Sequence, residues 1–243
     1  MSRRLLAPIR VLLFMPWTFL AGGMAGVARN LIFWDRCLGT KAAAWWTSLW
    51  GRGGVWLLGC KFKVVGPRPA PGSFVASNHT TWADILVLGG ASPALFIAKA
   101  EIAGWPIFGF LARNGSTLFV DRNRMRDTAR LREELRWYLE NDITVNIFAE
   151  GGAGCGEQIR KYRAPLFETP SALNVPCVPA VIKYSDKQAW WPEDQGLRNN
   201  VRLFASLPNL SVEVRFGEPV TDISNRKELA AELQHRCAEL YRD

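Results

Sequence analysis

Hydrophobic and polar positions divide the chain into two textures. Residues 5 to 33 are apolar almost throughout, and the run from Val11 to Ala28 holds 18 residues without a charge. That length is near the lower limit for a helix crossing a bilayer, and Pro16, Gly22, Gly23 and Gly26 interrupt or loosen it. A second helix, apolar and rich in tryptophan, is predicted over 42–58. From Lys61 onward the apolar runs are short and bounded by Gly, Pro, Asn and Asp, the pattern of strands and turns. Strands are predicted at 61–65, 73–77, 95–98, 117–121, 144–148, 176–183, 201–207 and 211–216. Leu131, Leu135 and Leu139 form one stripe of an amphipathic helix over 128–140. Ser224 is read as the cap of a final helix reaching about Tyr241. Strands alternating with helices predict an α/β fold, a mixed sheet covered by helices over residues 61–243, preceded by a membrane-associated helical segment over residues 1–60.

Charge sharpens that division. The chain carries a net charge of +8, which calls for an acidic partner. Residues 1–60 hold seven basic residues against Asp35 alone, together with six of the eleven tryptophans. Arginine and tryptophan flanking long apolar runs suit a membrane interface, where indole rings sit at headgroup depth and cations meet anionic lipid. Nucleic-acid binding would not need the uncharged run, so no nucleic-acid partner is expected. Basic residues lie on both sides of the run, so the positive-inside rule sets no orientation. A segment that dips into one leaflet or lies in the interface keeps both flanks on one side.

Five scattered cysteines without a Cys-x-x-Cys pair and only two histidines argue against a disulfide framework, a zinc site or any metal cofactor. One of those histidines, His79, sits in Ser77-Asn78-His79-Thr80-Thr81-Trp82-Ala83-Asp84, between two short apolar runs. A spacing of five puts two side chains roughly 140° apart on one helix. His79 and Asp84 therefore meet only if His79 lies in a strand-to-helix turn, with Thr80 or Thr81 opening the helix. The carboxylate would then fix one ring nitrogen and leave the other free to take a proton, the arrangement of a general base.

Three further stretches follow in order: Gly115-Ser116-Thr117-Leu118-Phe119-Val120-Asp121-Arg122, then Phe148-Ala149-Glu150-Gly151-Gly152, then Val178-Pro179-Ala180. With the His79–Asp84 block, this set resembles the four motifs of the glycerolipid acyltransferase family, which includes the lysophosphatidate (1-acyl-sn-glycerol-3-phosphate) acyltransferases. The resemblance runs from about residue 64 to 184. It implies that His79 and Asp84 are catalytic and that Gly115 and Arg122 bind the acceptor's phosphate. It further implies that Glu150 and Gly151 hold the glycerol part and that Pro179 shapes the acyl-donor site. The implied reaction moves a fatty acyl group from acyl-CoA or acyl-carrier protein to the free hydroxyl of 1-acyl-glycerol 3-phosphate. No cofactor is needed, and the implied location is the cytoplasmic face of the cell inner membrane. The third block departs from the family: Ala149 stands in place of a proline, and Gly152 and Ala153 in place of a polar pair. That change leaves open another lysolipid acceptor such as a lyso-ornithine lipid, with Arg160, Lys161 and Arg163 supplying charge, or a non-catalytic lipid-binding relative. A third alternative is a thiol hydrolase using Cys155 in the glycine-rich loop, although no Gly-x-Ser-x-Gly elbow marks a covalent route.

Overall fold

Short, β-branched runs bounded by turn residues build the centre of the molecule. In the computed structural model, which describes residues 3–121, 125–192 and 195–242, the strands are β1 (Lys61–Val65), β2 (Phe74–Ser77), β3 (Leu95–Lys99), β4 (Leu118–Val120), β5 (Val145–Phe148), β6 (Cys177–Tyr184) and β7 (Ser211–Phe216). They form one sheet in the order β1-β7-β6-β2-β5-β3-β4. Neighbours run parallel except β6 and β7, which are antiparallel. The sheet is mixed, as expected.

Alternation along the central strands sends side chains to two cores. Val75, Val178, Ala180 and Ile182 face one, shared with Leu86 and Leu88 of α3 (Asp84–Ala91) and Phe204 of α7 (Leu197–Ser206). Phe74, Ala76, Val145 and Ile147 face the other, beneath Leu131, Leu135 and Leu139 of α5 (Met125–Glu140) and Leu229 and Leu233 of α8 (Arg226–Arg242). Two shorter helices, α4 (Pro106–Asn114) and α6 (Glu168–Leu173), lie between β3 and β4 and before β6.

The N-terminal apolar run forms α1 (Arg3–Leu31), which turns back as α2 (Arg36–Leu57) after Asp35 caps it, its side chain accepting from Leu38 N at 3.0 Å. The pair is cross-linked: Trp17 Nε1 donates to the Trp50 carbonyl at 3.0 Å, and Trp50 Nε1 donates to Thr18 Oγ1 at 3.1 Å. Phe14, Trp50, Val55 and Leu58 join the first core, so the hairpin is packed into the sheet domain as well as onto itself. Two arginines fasten it further by donating to carbonyls at helix C-termini. Arg10 donates to Ala205 O and Leu207 O at 3.1 and 2.7 Å, and Arg52 donates to Gly90 O at 2.8 Å. Among the described residues one helix, Leu6–Leu31, is long and apolar enough to cross a membrane by length and composition.

Three expectations are corrected. Residues 201–207 are not a strand but the C-terminal part of α7 and its cap; Leu197, Val201 and Phe204 recur at helical spacing, which the short run Val201-Arg202-Leu203-Phe204 concealed. The helix after His79 opens at Asp84, not at Thr80 or Thr81, because the Thr80 and Thr81 amides donate to the Asp84 side chain. The last helix starts one residue later than read: Asn225, not Ser224, accepts from Lys227 N, at 2.8 Å.

A Cβ on Gly51 would lie 2.4 Å from Leu86 O and 2.6 Å from Gly90 N, so α2 crosses α3 backbone to backbone, whereas Gly23 has open space around it. Gly51→Ala is expected to destabilise the protein by about 1–3 kcal/mol, while Gly23→Ala holds or slightly raises stability. Thermal unfolding of the two variants in detergent checks the contrast.

Candidate active site

His79 leaves β2 two residues beyond its end, and the geometry of the turn follows from one carboxylate. Asp84, fully buried at the first position of α3, presents Oδ2 to Thr80 N (2.5 Å), Thr81 N (2.9 Å) and His79 Nδ1 (2.9 Å). A carboxylate only accepts, so Nδ1 carries the proton and Nε2 is left as the basic nitrogen. The ring stacks on Phe148 at the end of β5, 4.1 Å between centroids and 12° between planes. Its side chain keeps 15% exposure. Asn78, beside it, locks β2 to β6: Oδ1 accepts from Ile182 N at 2.8 Å and Nδ2 donates to Ile182 O at 3.1 Å. Two backbone bonds hold the turn from outside, Gly154 N to His79 O at 3.0 Å and Trp191 N to Thr80 O at 2.7 Å.

The histidine lines a cavity of ≈ 470 Å³ at the carboxyl ends of β2, β3 and β5, the edge of a parallel sheet where ligands collect. Its walls are largely aromatic and aliphatic, with Trp46, Trp50, Trp82, Phe96, Phe108 and Phe148 prominent. Ala21, Gly22 and Ala25 of α1 close one side. Lys99 and Glu101 bring charge to the lining.

The anticipated site residues divide. His79, Gly115 and Gly151 line this cavity together, and Asp84 stands directly behind His79. Arg122 lies outside the described residues. Glu150 is turned inward, with its carboxylate 3.0 Å from Arg160 Nε and accepting from Arg160 N at 3.1 Å. Arg160 also donates to Gly152 O, and Arg163 Nε donates to Glu150 O at 3.3 Å. Burial pushes the Glu150 carboxyl above its ordinary value, against the pull of Arg160 and a weaker one from His79. Glu150 therefore organises the glycine-rich loop. Pro179 is buried in β6 opposite Ala76, away from the cavity lining. Its carbonyl still accepts from Gly217 N at 2.9 Å, and the N–H it lacks falls where the pairing shifts register between the Cys177–Val220 bridge and the Ala180–Phe216 pair. Cys155 is exposed and is not among the residues lining the cavity.

Several contributors escaped sequence reasoning. Tyr184, at the end of β6, donates to Asp84 Oδ1 at 2.7 Å. Fully buried Asn200 accepts from Thr81 Oγ1 at 3.1 Å and donates to Trp190 O at 2.9 Å, tying α7 and the preceding loop to the turn after β2. Their only sequence signal was a polar residue at the edge of an apolar run. Phe148 stands at the head of the third block, but its stacking on His79 was not foreseen.

A histidine–aspartate pair at the mouth of an apolar cavity, at the carboxyl edge of a mixed sheet, is the setting in which the comparisons with known proteins fall. Residues 61–183 match the Acyltransferase family, and the chain belongs to that family; it is an acyltransferase. It is 31% identical over 205 residues to a lyso-ornithine lipid O-acyltransferase of Brucella abortus, covering 76% of this chain and 77% of that one. It is 30% identical over 158 residues to a 1-acyl-sn-glycerol-3-phosphate acyltransferase of Neisseria gonorrhoeae, covering 61% and 62%. The crystal structure of the 1-acyl-sn-glycerophosphate acyltransferase PlsC from Thermotoga maritima shares the fold, with a TM-score of 0.66 and 18% identity over 97% of this chain and 98% of that one.

Removing Arg160 would leave the Glu150 carboxylate buried without its cation. Arg160→Ala is expected to cost about 2 kcal/mol, less than a fully buried pair because the guanidinium is a third exposed. Losing the cation raises the carboxyl's folded-state pKa further, so the folded form takes up a proton on acidification and the penalty shrinks. The deficit is therefore larger at pH 8 than at pH 5, and Glu150→Gln in the same chain relieves it. Thermal unfolding across pH checks both signs.

Proposed function

We propose that this protein transfers a fatty acyl group from a thioester donor, acyl-CoA or acyl-carrier protein, to the free hydroxyl of a lysolipid, with His79 as general base. The observation that carries the reading is the His79 Nδ1 to Asp84 Oδ2 hydrogen bond, 2.9 Å, on a ring that lines the apolar cavity. Nε2 takes the hydroxyl proton as the oxygen attacks the thioester carbonyl. The imidazolium so formed is stabilised by Asp84, the C–S bond breaks, and the thiolate leaves to be protonated. No covalent acyl-enzyme is required. The aromatic and aliphatic walls accommodate the acyl chain, whose burial is driven by the hydrophobic effect.

The exposed apolar residues of the N-terminal hairpin, among them Leu12, Leu20, Phe33, Trp34 and Trp56, seat the enzyme at the membrane that supplies its acceptor. Because α1 also packs against α4 and α7, it rests in the interface on the cytoplasmic face with the domain beneath it.

The acceptor is 1-acyl-glycerol 3-phosphate, with Gly115 and Arg122 in the block that would hold its phosphate. A second reading, a lyso-ornithine lipid, is favoured by a specific feature. Gly152 and Ala153 supply no polar side chain at the third block, and Arg160 is engaged with Glu150, leaving Lys99 as the one cation among the described residues that line the cavity.

Acyl transfer from acyl-CoA and acyl-carrier protein to a panel of lysolipids, by purified enzyme in mixed micelles, tests these readings. His79→Ala is expected to lower kcat by roughly 10³-fold and Cys155→Ser to leave it unchanged. Retained activity in His79→Ala would remove the base. Transfer to the phosphate-free acceptor alone would select the second reading.

A further inference from the structure

We propose that Tyr184 is a positioning residue for the catalytic pair, a third member that fixes the Asp84 carboxylate so that its other oxygen meets His79. This rests on His79 acting as the base, as proposed above. The phenol donates to Oδ1 at 2.7 Å while His79 and the Thr80 and Thr81 amides share Oδ2. Each oxygen therefore has a separate task. Rotation of the carboxylate would break the tyrosine bond and the histidine bond together.

Tyr184 reaches the pair from 100 residues away in sequence, from the end of β6, with its ring edge-on to Phe204 at 5.9 Å. The position is fixed from both sides, because Asn78 clamps β6 to β2 at Ile182, two residues before Tyr184. Burial first, and then the Asp84 charge, hold the phenol well above its usual range, so it stays a donor wherever the enzyme works. Other titratable groups near the pair are Glu150 at the end of β5, Tyr241 on α8 and Cys60 before β1. The hydrogen bonds given to Asp84 by described side chains come from His79, Thr80 and Tyr184.

A donor to Oδ1 does more than hold geometry. It draws charge from the carboxylate, and a carboxylate without it attracts the imidazolium more strongly. His79 must be neutral to accept a proton, so losing the tyrosine donor moves the acid limb of the kcat/KM profile to higher pH. A tyrosine that merely fills space would leave that limb in place.

Tyr184→Phe removes one oxygen and keeps the ring. The expected result is a kcat lower by roughly 10-fold, KM for both substrates within about twofold, and an acid limb displaced upward. In an Asp84→Asn background the same substitution should add little, since the two act as one unit. Because the chain has only two histidines, 15N-histidine labelling follows the His79 ring directly, and its titration should move the same way as the acid limb. That readout needs no turnover, so it separates failure of this inference from failure of the acyl-transfer reading. An unmoved His79 titration with unchanged kcat, or a full independent loss in Asp84→Asn, overturns the proposal. Should Tyr184→Phe fail to fold, replacing all four tyrosines by 3-fluorotyrosine strengthens the donor, and the titration should then move to lower pH. No movement, or movement upward, overturns it equally.

Discussion

A single carboxylate with no contact with solvent organises the carboxyl-edge end of this molecule. Asp84 cannot be buried at the start of α3 unless both of its oxygens are satisfied, since an unpartnered charge in that setting costs several kcal/mol. The partners come from the preceding turn and from the far end of β6. Satisfying one side chain thereby forces the turn after β2 to curl back over α3, and the histidine arrives with one nitrogen occupied and the other free. The same bonds that make the fold self-consistent set the tautomer of His79.

The surrounding sheet supplies rigidity of a different kind. β2, β3 and β5 run parallel and end at the same edge, so residues distant in sequence are delivered to one rim by strands buried on both faces. Phe148 contributes a stacking plate to His79, and Gly154 and Trp191 pin the backbone of the turn at successive carbonyls. The glycine-rich third block has its own fastening, in which Glu150 is spent on Arg160 and the loop backbone. Those contacts hold the rim in shape although Gly152 and Ala153 bring no polar side chain to it.

Strand periodicity and turn residues were enough to read all seven strands and the α5 stripe, because local pattern governs those elements. Residues 201–207 misled because the short run Val201-Arg202-Leu203-Phe204 hides the helical spacing that Leu197, Val201 and Phe204 show together, with Phe204 packed on Trp82 and Tyr184. The pairing of His79 with Asp84 was legible as a geometric condition, that the histidine stand outside the helix. Tyr184, Asn200 and the Arg160 anchor were not, since each acts across the fold and nothing in its own vicinity marks it. Pro179 was noticed as part of a motif, yet its place is intelligible only from the register shift between β6 and the segment that follows β7.

Ala21, Gly22 and Ala25 of α1, with Trp46 and Trp50 of α2, belong to the wall of the cavity, while neighbouring positions on the same two helices present bare hydrocarbon outward. Anchor and container are thus opposite sides of one hairpin. On the proposed reading, a sequence change that adapts the outward face to a thicker or stiffer bilayer also alters the room in the cavity for a fatty tail, so attachment and tail selection are coupled.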